Sequence, residues 1–359
     1  MKILINTPKI TIPAGVSNHY LGLRPYFSNY VIYNQYLPGH YLKEKNNHRV
    51  LFLVKLITNK FFEILRFSYL IIKYKKPTIL LNPSFGKSAI QRDALFLRIA
   101  KFFGCKVAVF MHGWDKSYLE KVLNKEVQFS YAWFKADAFF VLATEFKEYL
   151  EKLNIKAPIH LTSTKVNDKL LDGVPTKKIE TIKTILFLAR IEKAKGIFTT
   201  IDAFQILRQN HPKIKLKVVG SGNDQNTALE YAKNKNISNI NFTGPLSGEA
   251  LKNEFINTDL YILPTTHGEG MPTSVLEAMA FGLPVITRPV GGLVDFFEND
   301  KMGYMIESLN PEEYAVKIEI LINNVEKANQ ISRYNTKYAK EHFMASKIAP
   351  ELEKIIEEL

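Results

Sequence analysis

Two carboxylates eight residues apart, Glu269 and Glu277, are the first candidates for chemistry. They lie in the stretch PTTHGEGMPTSVLEAMAFGLPVITRPVGGLVD, which follows an apolar run. Pro272 is typical of a first helical position and Gly282 of a helix stop, so the stretch predicts strand, loop, helix and strand. Glu269 then lies in the loop, and Glu277 lies about one turn into the helix.

The start of that helix is a candidate phosphate site. Backbone amides near Thr273 and Ser274 would point out of the first turn, where anions bind well. Glu277 can accept hydrogen bonds from a ribose diol, and Glu269 can reach the other end of the same ligand. The alternatives are an acidic residue stabilised by the helix dipole and a surface loop carboxylate.

Two further loops follow apolar runs. In ARIEKAKG, Arg190 offers a planar fork and Lys195 a movable point charge, which together suit a diphosphate. The alternative is a basic surface turn. In VVGSG, Gly220 and Gly222 resemble part of a dinucleotide fingerprint but lack its third glycine, so they indicate close approach of the backbone to a ligand.

Short apolar runs alternate with amphipathic stretches along the chain, which is typical of parallel sheets with crossover helices. Ten runs are predicted to be strands: Lys2–Thr7, Pro77–Asn82, Lys106–Met111, Ala138–Ala143, Thr184–Ala189, Lys215–Val219, Ile240–Thr243, Asp259–Leu263, Pro284–Thr287 and Tyr304–Ile306. Three stretches are predicted to be helices: Ala89–Phe103, Phe198–Gln209 and Ser247–Ile256. The polar stretch Lys165–Lys183 predicts a linker between two doubly wound domains. Ligands bind beyond the carboxyl ends of such strands, so the loops there are where chemistry is expected.

Together these motifs resemble family GT4 of the retaining glycosyltransferases, which have the GT-B fold. The resemblance is carried by the two glutamates inside EGMPTSVLEAMAFGLPVI, the ARIEKAKG loop, VVGSG and the pair Gly291-Gly292. It implies an α/β GT-B architecture of two doubly wound Rossmann-like domains that face each other across a cleft. The acceptor-binding domain is expected at 1–168, with a last helix at 338–359 crossing back onto it, and the donor-binding domain at 169–337.

The resemblance also implies roles in the second half. Arg190 and Lys195 match the diphosphate clamp, Glu277 the ribose-binding glutamate and Glu269 the glutamate near the donor sugar. The other donor-binding candidates share these loops: Gly220, Gly222, Gly270, Met271, Pro272, Thr273 and Ser274.

The first half matches the family less tightly. The stretch PAGVS, which includes Gly15, Val16 and Ser17, resembles the glycine-rich loop after the first strand. The stretch MHGWD resembles the family's His-Gly loop, which would place His112 near the donor sugar and the attacking hydroxyl. The catalytic candidates are therefore Glu269, His112, Arg190 and Lys195. The alternative for His112 is a strand-end histidine that is satisfied by its neighbours.

The implied reaction moves a sugar, with retention, from a UDP- or GDP-linked donor to a hydroxyl of a glycan or lipid-linked acceptor in bacterial surface polysaccharide assembly. The sequence contains no Asp-x-Asp metal motif, and a cationic clamp can replace a metal, so neither a metal nor another cofactor is expected. Three alternatives stay open: a nucleotide-sugar epimerase or sugar phosphorylase on the same fold, a non-catalytic sugar-nucleotide binder, and a nucleic-acid-binding protein.

Charge is unevenly divided. Residues 1–170 hold 26 Lys and Arg against 11 Asp and Glu, and the rest of the chain holds 22 against 24. The first half is therefore expected to meet something anionic, such as a membrane surface or a phosphate-linked substrate, unless the cations are simply solvated. The stretch Arg49–Lys76 combines cations with aromatic residues that are expected to be mostly core: Phe52, Phe61, Phe62, Phe67 and Tyr69.

Composition narrows the class of protein. The length of 359 residues predicts two domains, and 46% hydrophobic with 23% charged residues excludes wholesale disorder. A single cysteine, Cys105, excludes a disulfide framework and a cysteine-based zinc site. No signal peptide is visible, and charges interrupt the most apolar stretch, so a cytoplasmic protein is expected, with peripheral association at the inner face of the plasma membrane. No nucleic-acid partner is expected, because no helix-turn-helix, zinc finger or interleaved basic-aromatic motif is present.

Overall fold

The computed structural model describes residues 2–11, 15–28, 30–37 and 49–359, without the side chains of residues 49–53. The chain divides into two compact units, one formed by Met1–Thr164 with Ala345–Leu359 and the other by Lys165–Met344. Each unit holds a parallel six-stranded sheet with helices between the strands, so the predicted α/β class is confirmed.

The first sheet has the strand order β2-β1-β3-β4-β5-β6. Its strands are β1 (Ile3–Pro8), β2 (Val31–Tyr36), β3 (Thr78–Leu81), β4 (Val107–Met111), β5 (Ala138–Val141) and β6 (Ile159–Leu161). The helices of this stretch are α1 (Gly15–Leu23), α2 (Arg49–Lys73), α3 (Lys87–Phe102), α4 (Lys116–Leu123) and α5 (Thr144–Lys152). Every residue of β3, β4 and β5 is buried, as expected for parallel strands covered on both faces.

The second sheet has the strand order β12-β11-β10-β7-β8-β9. Its strands are β7 (Thr184–Leu188), β8 (Lys215–Val219), β9 (Ile240–Gly244), β10 (Leu260–Leu263), β11 (Val285–Thr287) and β12 (Gly303–Met305). The helices that follow in the chain are α6 (Ile197–Asn210), α7 (Gln225–Asn234), α8 (Gly248–Ile256), α9 (Thr273–Ala280), α10 (Pro311–Asn323), α11 (Val325–His342) and α12 (Ala345–Glu357).

All ten predicted strands are present, and two observed strands were not predicted. Strand β2 carries Asn34 and Gln35, which broke the apolar run that reveals a strand, and β6 is three residues long. In each sheet the direction of strand addition reverses once, between β1 and β3 and between β7 and β10. Loops that leave the carboxyl ends of strands diverge at such a reversal and leave room for a ligand.

The stretch predicted as a linker packs on the second unit. Lys165 is only 7% exposed, and Ile179 and Ile182 are buried. The Asn329 side chain donates to the Ile179 carbonyl oxygen at 2.7 Å and accepts from the Ile179 amide at 3.0 Å. The compact unit thus begins at Lys165, whereas the predicted domain begins at residue 169.

The final stretch 338–359 is not one helix. Helix α11 ends at His342, and α12 begins at Ala345 and belongs to the first unit. The carboxylate of Glu353 on α12 accepts hydrogen bonds from the amide of Ser28, at 3.0 Å, and from its hydroxyl. This buried contact joins the chain's last helix to the segment that follows α1.

Helix α2 differs from expectation in the placement of its aromatic residues. Phe67 is buried, but Phe61, Phe62 and Tyr69 are 58%, 65% and 58% exposed, so the prediction that they are mostly core was wrong for these three. The side chain of Phe52 lies outside the described residues. In the described part of the chain, no helix combines the length and the apolar character needed to cross a membrane.

Replacing Glu353 with alanine should destabilise the first unit. The change leaves the Ser28 amide without its buried acceptor, which costs about 1–3 kcal/mol. Urea unfolding of the full chain should show a lower midpoint for Glu353→Ala than for Glu351→Ala, which alters an exposed carboxylate on the same helix. Equal midpoints for the two variants would contradict the proposed contact.

Candidate functional site

Three loops predicted from the sequence meet at one edge of the second sheet. Arg190 and Lys195 follow β7, Gly220 and Gly222 follow β8, and Glu269 follows β10. These strands are neighbours in the order β10-β7-β8, and parallel strands end at the same edge. The fold therefore brings the predicted loops together at the reversal of strand order.

Backbone hydrogen bonds join the three loops. The amides of Thr266 and His267 donate to the Ala194 carbonyl oxygen at 2.8 and 3.1 Å. The Ile191 amide donates to the Ser221 carbonyl oxygen at 3.1 Å. The loop after β7 is thus held from both sides, by the loop after β10 and by the loop after β8.

The glycines of the loop after β8 are explained by this packing. A Cβ atom at Gly220 or Gly222 would lie 2.0 or 2.4 Å from the carbonyl oxygens of Ala189 and Ile191. No other residue fits at such distances, and Gly220 also has a φ of 135°. Both glycines let the neighbouring loop come close, and the close approach of a ligand to them stays a prediction.

An ion pair between Lys195 and Glu269 lies at the centre of the site. Lys195 ends a short 3₁₀ turn, and the two side chains are 9% and 17% exposed. Two poorly hydrated charges offset each other's loss of water only when they are paired, so removing either one would leave a costly charge behind. The pair therefore fixes the loop after β10 onto the loop after β7.

Arg190 lies beside this pair and is more open to solvent. Its guanidinium donates to Glu192 at 2.6 Å and lies 3.3 Å from Nε2 of His267. A guanidinium only donates, so Nε2 of His267 accepts and the ring proton is on Nδ1. Burial, followed by the charge of Lys195, lowers the pKa of His267 and keeps the ring neutral. That Nδ1 is buried and has no hydrogen-bond partner among the described residues.

Glu277 lies on α9 and is partly buried. Burial raises its pKa to about 7, and the charge of Lys165 opposes that rise. Burial likewise lowers the pKa of Lys165, and the nearby carboxylates of Glu277 and Asp168 oppose it. Nothing in the sequence singled out Lys165, because the stretch STKVND around it departs from the Asn-Gly-Val-Asp turn of the resembled family.

Helix α9 begins one residue later than predicted, at Thr273, with Pro272 as its N-cap. Among the residues that the structure describes, no side chain caps the first turn. The Tyr261 hydroxyl lies 2.7 Å from the Ser274 hydroxyl and 3.1 Å from the Leu188 carbonyl oxygen, so it links the start of α9 to β7 and β10.

The glycine pair Gly291-Gly292 supports the turn that follows Glu269. The Gly292 amide donates to the Gly270 carbonyl oxygen at 2.8 Å. A Cβ atom at Gly291 would lie 2.1 Å from that same oxygen, which explains why position 291 is glycine. Met271 is 9% exposed and packs into the second unit. The backbone from Glu269 to the start of α9 is therefore held in one conformation by its surroundings.

The first-half candidates lie in the first unit. His112 follows β4, with its ring stacked on Phe110 at a centroid distance of 4.0 Å. Burial lowers its pKa to about 3, so the ring is neutral near pH 7. Gly15, Val16 and Ser17 form the first turn of α1, whereas they were expected in a loop. Pro13 and Ala14, from the same motif, lie outside the described residues.

Two parallel six-stranded sheets of this topology, each with one reversal of strand order, are typical of the GT-B class of fold. Structural comparison agrees: HepE of Anabaena, solved in complex with UDP, matches with a TM-score of 0.71 at 15% identity over 100% of both chains. Residues 174–338 match the model of the family glycosyl transferases group 1. This region, just under half of the chain, is similar to that family.

Curated relatives carry similar names. An uncharacterised glycosyltransferase of Haemophilus influenzae is 33% identical over 49% of this chain and 47% of its own length. The capsular polysaccharide biosynthesis glycosyltransferase CapM of Staphylococcus aureus is 31% identical over 46% of this chain and 44% of its own length. The chain spans about half the length of these relatives.

Replacing Glu277 with glutamine should change how stability depends on pH. The folded-state pKa near 7 lies above that of the unfolded chain, so Glu277 contributes stability at low pH that is lost as pH rises through about 7. The unfolding free energy of Glu277→Gln relative to wild type should therefore increase from about pH 5 to about pH 8. Urea unfolding across this range, with the exposed Glu230→Gln as control, measures the trend. A constant difference would contradict the raised pKa.

Proposed function

We propose that the chain is a retaining glycosyltransferase of family GT4. It moves a sugar from a UDP- or GDP-linked donor to a hydroxyl of a glycan or lipid-linked acceptor. The observation that carries this proposal is the Lys195–Glu269 ion pair at the strand-order reversal, with Arg190 beside it and Glu277 on the adjoining helix. The capsular name of one relative and the UDP held by a structural neighbour support the donor class and a place in bacterial surface polysaccharide assembly.

The cations serve the leaving group. Breaking the bond between the sugar and the diphosphate leaves negative charge on phosphate oxygens. Lys195 is already oriented by its partner, and Arg190 is open enough to present its fork to a second oxygen. The uncapped amides at Thr273 and Ser274 add donors at the start of α9. Because these groups are oriented before the reaction, little reorganisation is needed when the charge develops.

The carboxylates serve the two ends of the donor. In its ionised form Glu277 accepts from both ribose hydroxyls, and such bonds favour ionisation of a group whose pKa is otherwise near 7. Glu269 lies near the sugar and acts by electrostatics and positioning. The backbone of Gly270, Met271 and Pro272 offers further groups to that sugar.

The anomeric configuration of the sugar is retained because the leaving group departs and the acceptor attacks on the same face of the sugar. The leaving phosphate oxygen takes the proton of the acceptor hydroxyl while that hydroxyl oxygen bonds to the anomeric carbon on the same face. His112, neutral and partly buried, contacts the donor sugar or the attacking hydroxyl. No carboxylate is assigned as a nucleophile.

We further propose that neither a metal nor another cofactor takes part, since Arg190 and Lys195 supply the positive charge that the diphosphate needs. Within the residues that the structure describes, no group of three or more His, Cys, Asp or Glu side chains could hold a metal ion.

A panel of UDP- and GDP-sugars tests the function. With a simple hydroxyl acceptor present, one donor should give a product whose anomeric configuration, read by NMR, equals that of the donor. EDTA should leave the rate unchanged. With donor alone, slow hydrolysis is expected. An epimer or phosphate-dependent cleavage would support the alternative enzymes, and inversion or metal-restored activity would contradict the proposed mechanism.

Lys195→Ala should lower turnover by about 10²–10³, because losing one preorganised donor to a developing anion costs ~3–4 kcal/mol. Lys193→Ala is the matched control, since Lys193 is exposed on the same 3₁₀ turn, and it should keep turnover within about twofold. Circular dichroism of both variants checks that the fold survives. Wild-type kinetics in a folded Lys195→Ala variant would exclude the clamp.

The exposed face of α2 suggests a membrane partner. Its exposed apolar side chains are Val54, Ile57, Phe61, Phe62, Leu65, Tyr69 and Ile72. Exposed cations on the same helix include Lys60, Arg66 and Lys73. Aromatic residues favour the headgroup region, and each basic residue near an anionic leaflet contributes about 1 kcal/mol. We propose a cytoplasmic protein that associates reversibly with the inner face of the plasma membrane through this helix.

Liposome co-sedimentation should show binding to vesicles that contain phosphatidylglycerol, weakening from 50 to 500 mM salt as the charges are screened. Phe61→Ser with Phe62→Ser should reduce the bound fraction severalfold, while Lys178→Glu with Lys233→Glu, which changes exposed cations of the second unit, should not. Equal binding to neutral vesicles, or none to either kind, would contradict the proposed docking.

A further inference from the structure

Asn82, which follows β3 in the first unit, holds the ring of His112. Its side-chain oxygen Oδ1 lies 3.0 Å from Nε2 of His112 and 2.5 Å from the hydroxyl of Tyr20. Backbone contacts set this approach, because the His112 amide donates to the Pro83 carbonyl oxygen at 3.0 Å. The loops after β3 and β4 are therefore joined where the two side chains meet.

The orientation of the Asn82 amide is decided by its other contacts. Its nitrogen Nδ2 lies 3.0 Å from the Asn6 carbonyl oxygen and 3.2 Å from the Leu80 carbonyl oxygen. Carbonyl oxygens only accept hydrogen bonds, so the NH₂ group faces them and Oδ1 faces His112 and Tyr20. A flipped amide would set oxygen against two carbonyl oxygens.

The protonation of the His112 ring follows from the same assignment of hydrogen-bond donors and acceptors. Oδ1 of Asn82 only accepts, so both Nε2 of His112 and the Tyr20 hydroxyl donate to it. A neutral imidazole carries one proton, and here that proton is on Nε2. Nδ1 then carries no proton and can only accept a hydrogen bond. The rings around His112 are those of Phe110, His19 and Tyr20, at centroid distances of 4.0, 5.0 and 6.0 Å.

We infer that Asn82 is a positioning residue that holds His112 as the Nε2–H tautomer, so that Nδ1 accepts a hydrogen bond from a ligand hydroxyl. The inference rests on the proposed function for the identity of that ligand, a sugar hydroxyl of the donor or the acceptor. It also defines what His112 does not do: a neutral ring with a bare Nδ1 offers this ligand no proton and no positive charge. The site therefore selects a hydroxyl there over a phosphate or a carboxylate.

NMR of the full chain with ¹⁵N-labelled histidine tests the tautomer without any assay of activity. Long-range couplings from the ring protons should show Nε2 protonated and Nδ1 bare for His112, with the signals assigned by their loss in His112→Gln. The Nδ1–H tautomer in wild-type protein would overturn the inference. Because this measurement needs no substrate, a chain without transferase activity would refute the proposed function and leave the tautomer result standing.

Variants test whether Asn82 determines the tautomer of His112. Asn82→Leu should convert His112 to a mixture of tautomers and lower kcat/KM about tenfold, the value of one hydrogen bond to a hydroxyl. Asn34→Ala is the matched control, because Asn34 donates to the Asn6 side chain at 2.8 Å within the same buried cluster and has no contact with His112. An unchanged tautomer in Asn82→Leu, or the same change in Asn34→Ala, would show that Asn82 does not position the ring.

Discussion

Parallel strands all end at the same edge of their sheet, and this constraint organises both units of the protein. In the second unit it places the loops after β10, β7 and β8 side by side, although up to 79 residues separate Arg190 from Glu269 in the sequence. In the first unit it does the same for Asn6, Asn82 and His112, which belong to or follow β1, β3 and β4. Chemistry from distant parts of the chain is therefore assembled by strand order, before any ligand is present.

The two groups of candidate site residues meet the cost of burying polar groups in different ways. The second unit places charges in pairs: Lys195 with Glu269, and Lys165 near Glu277. A paired charge retains part of the stabilisation that water would supply, and its side chain stays oriented. The cluster around His112 uses neutral groups, in which amides, a phenol and an imidazole satisfy one another. Such a network fixes which atoms donate and which accept hydrogen bonds, and it does so without any net charge.

The geometry of the loops in the second unit depends on glycines, which have no side chain, as much as on the side chains that are present. A Cβ atom at Gly222 or Gly196 would lie 2.4 Å from a backbone carbonyl oxygen of the neighbouring loop, that of Ile191 or that of Pro264. This permits the loop after β7 to contact both of its neighbours, which in turn brings Lys195 to Glu269. The ion pair therefore depends on the glycines, and the positions of the glycines in the sequence are explained by close contacts between backbone segments.

The amino-acid sequence by itself determined the α/β class, ten of the twelve strands in the described part of the chain, and the loops that carry Arg190, Lys195, Glu269 and Glu277. A buried strand needs an unbroken apolar run, and a helix start or stop needs particular residues. Tertiary structure alone revealed β2, whose buried Asn34 finds its partner on another strand, and the packing of the supposed linker on the second unit. It also decided that Lys165 faces Glu277, that Asn82 holds His112, and that three aromatic residues of α2 face outward. Each of these features depends on which residue from a distant part of the chain contacts the side chain, and the spacing of residues along the sequence does not predict such contacts.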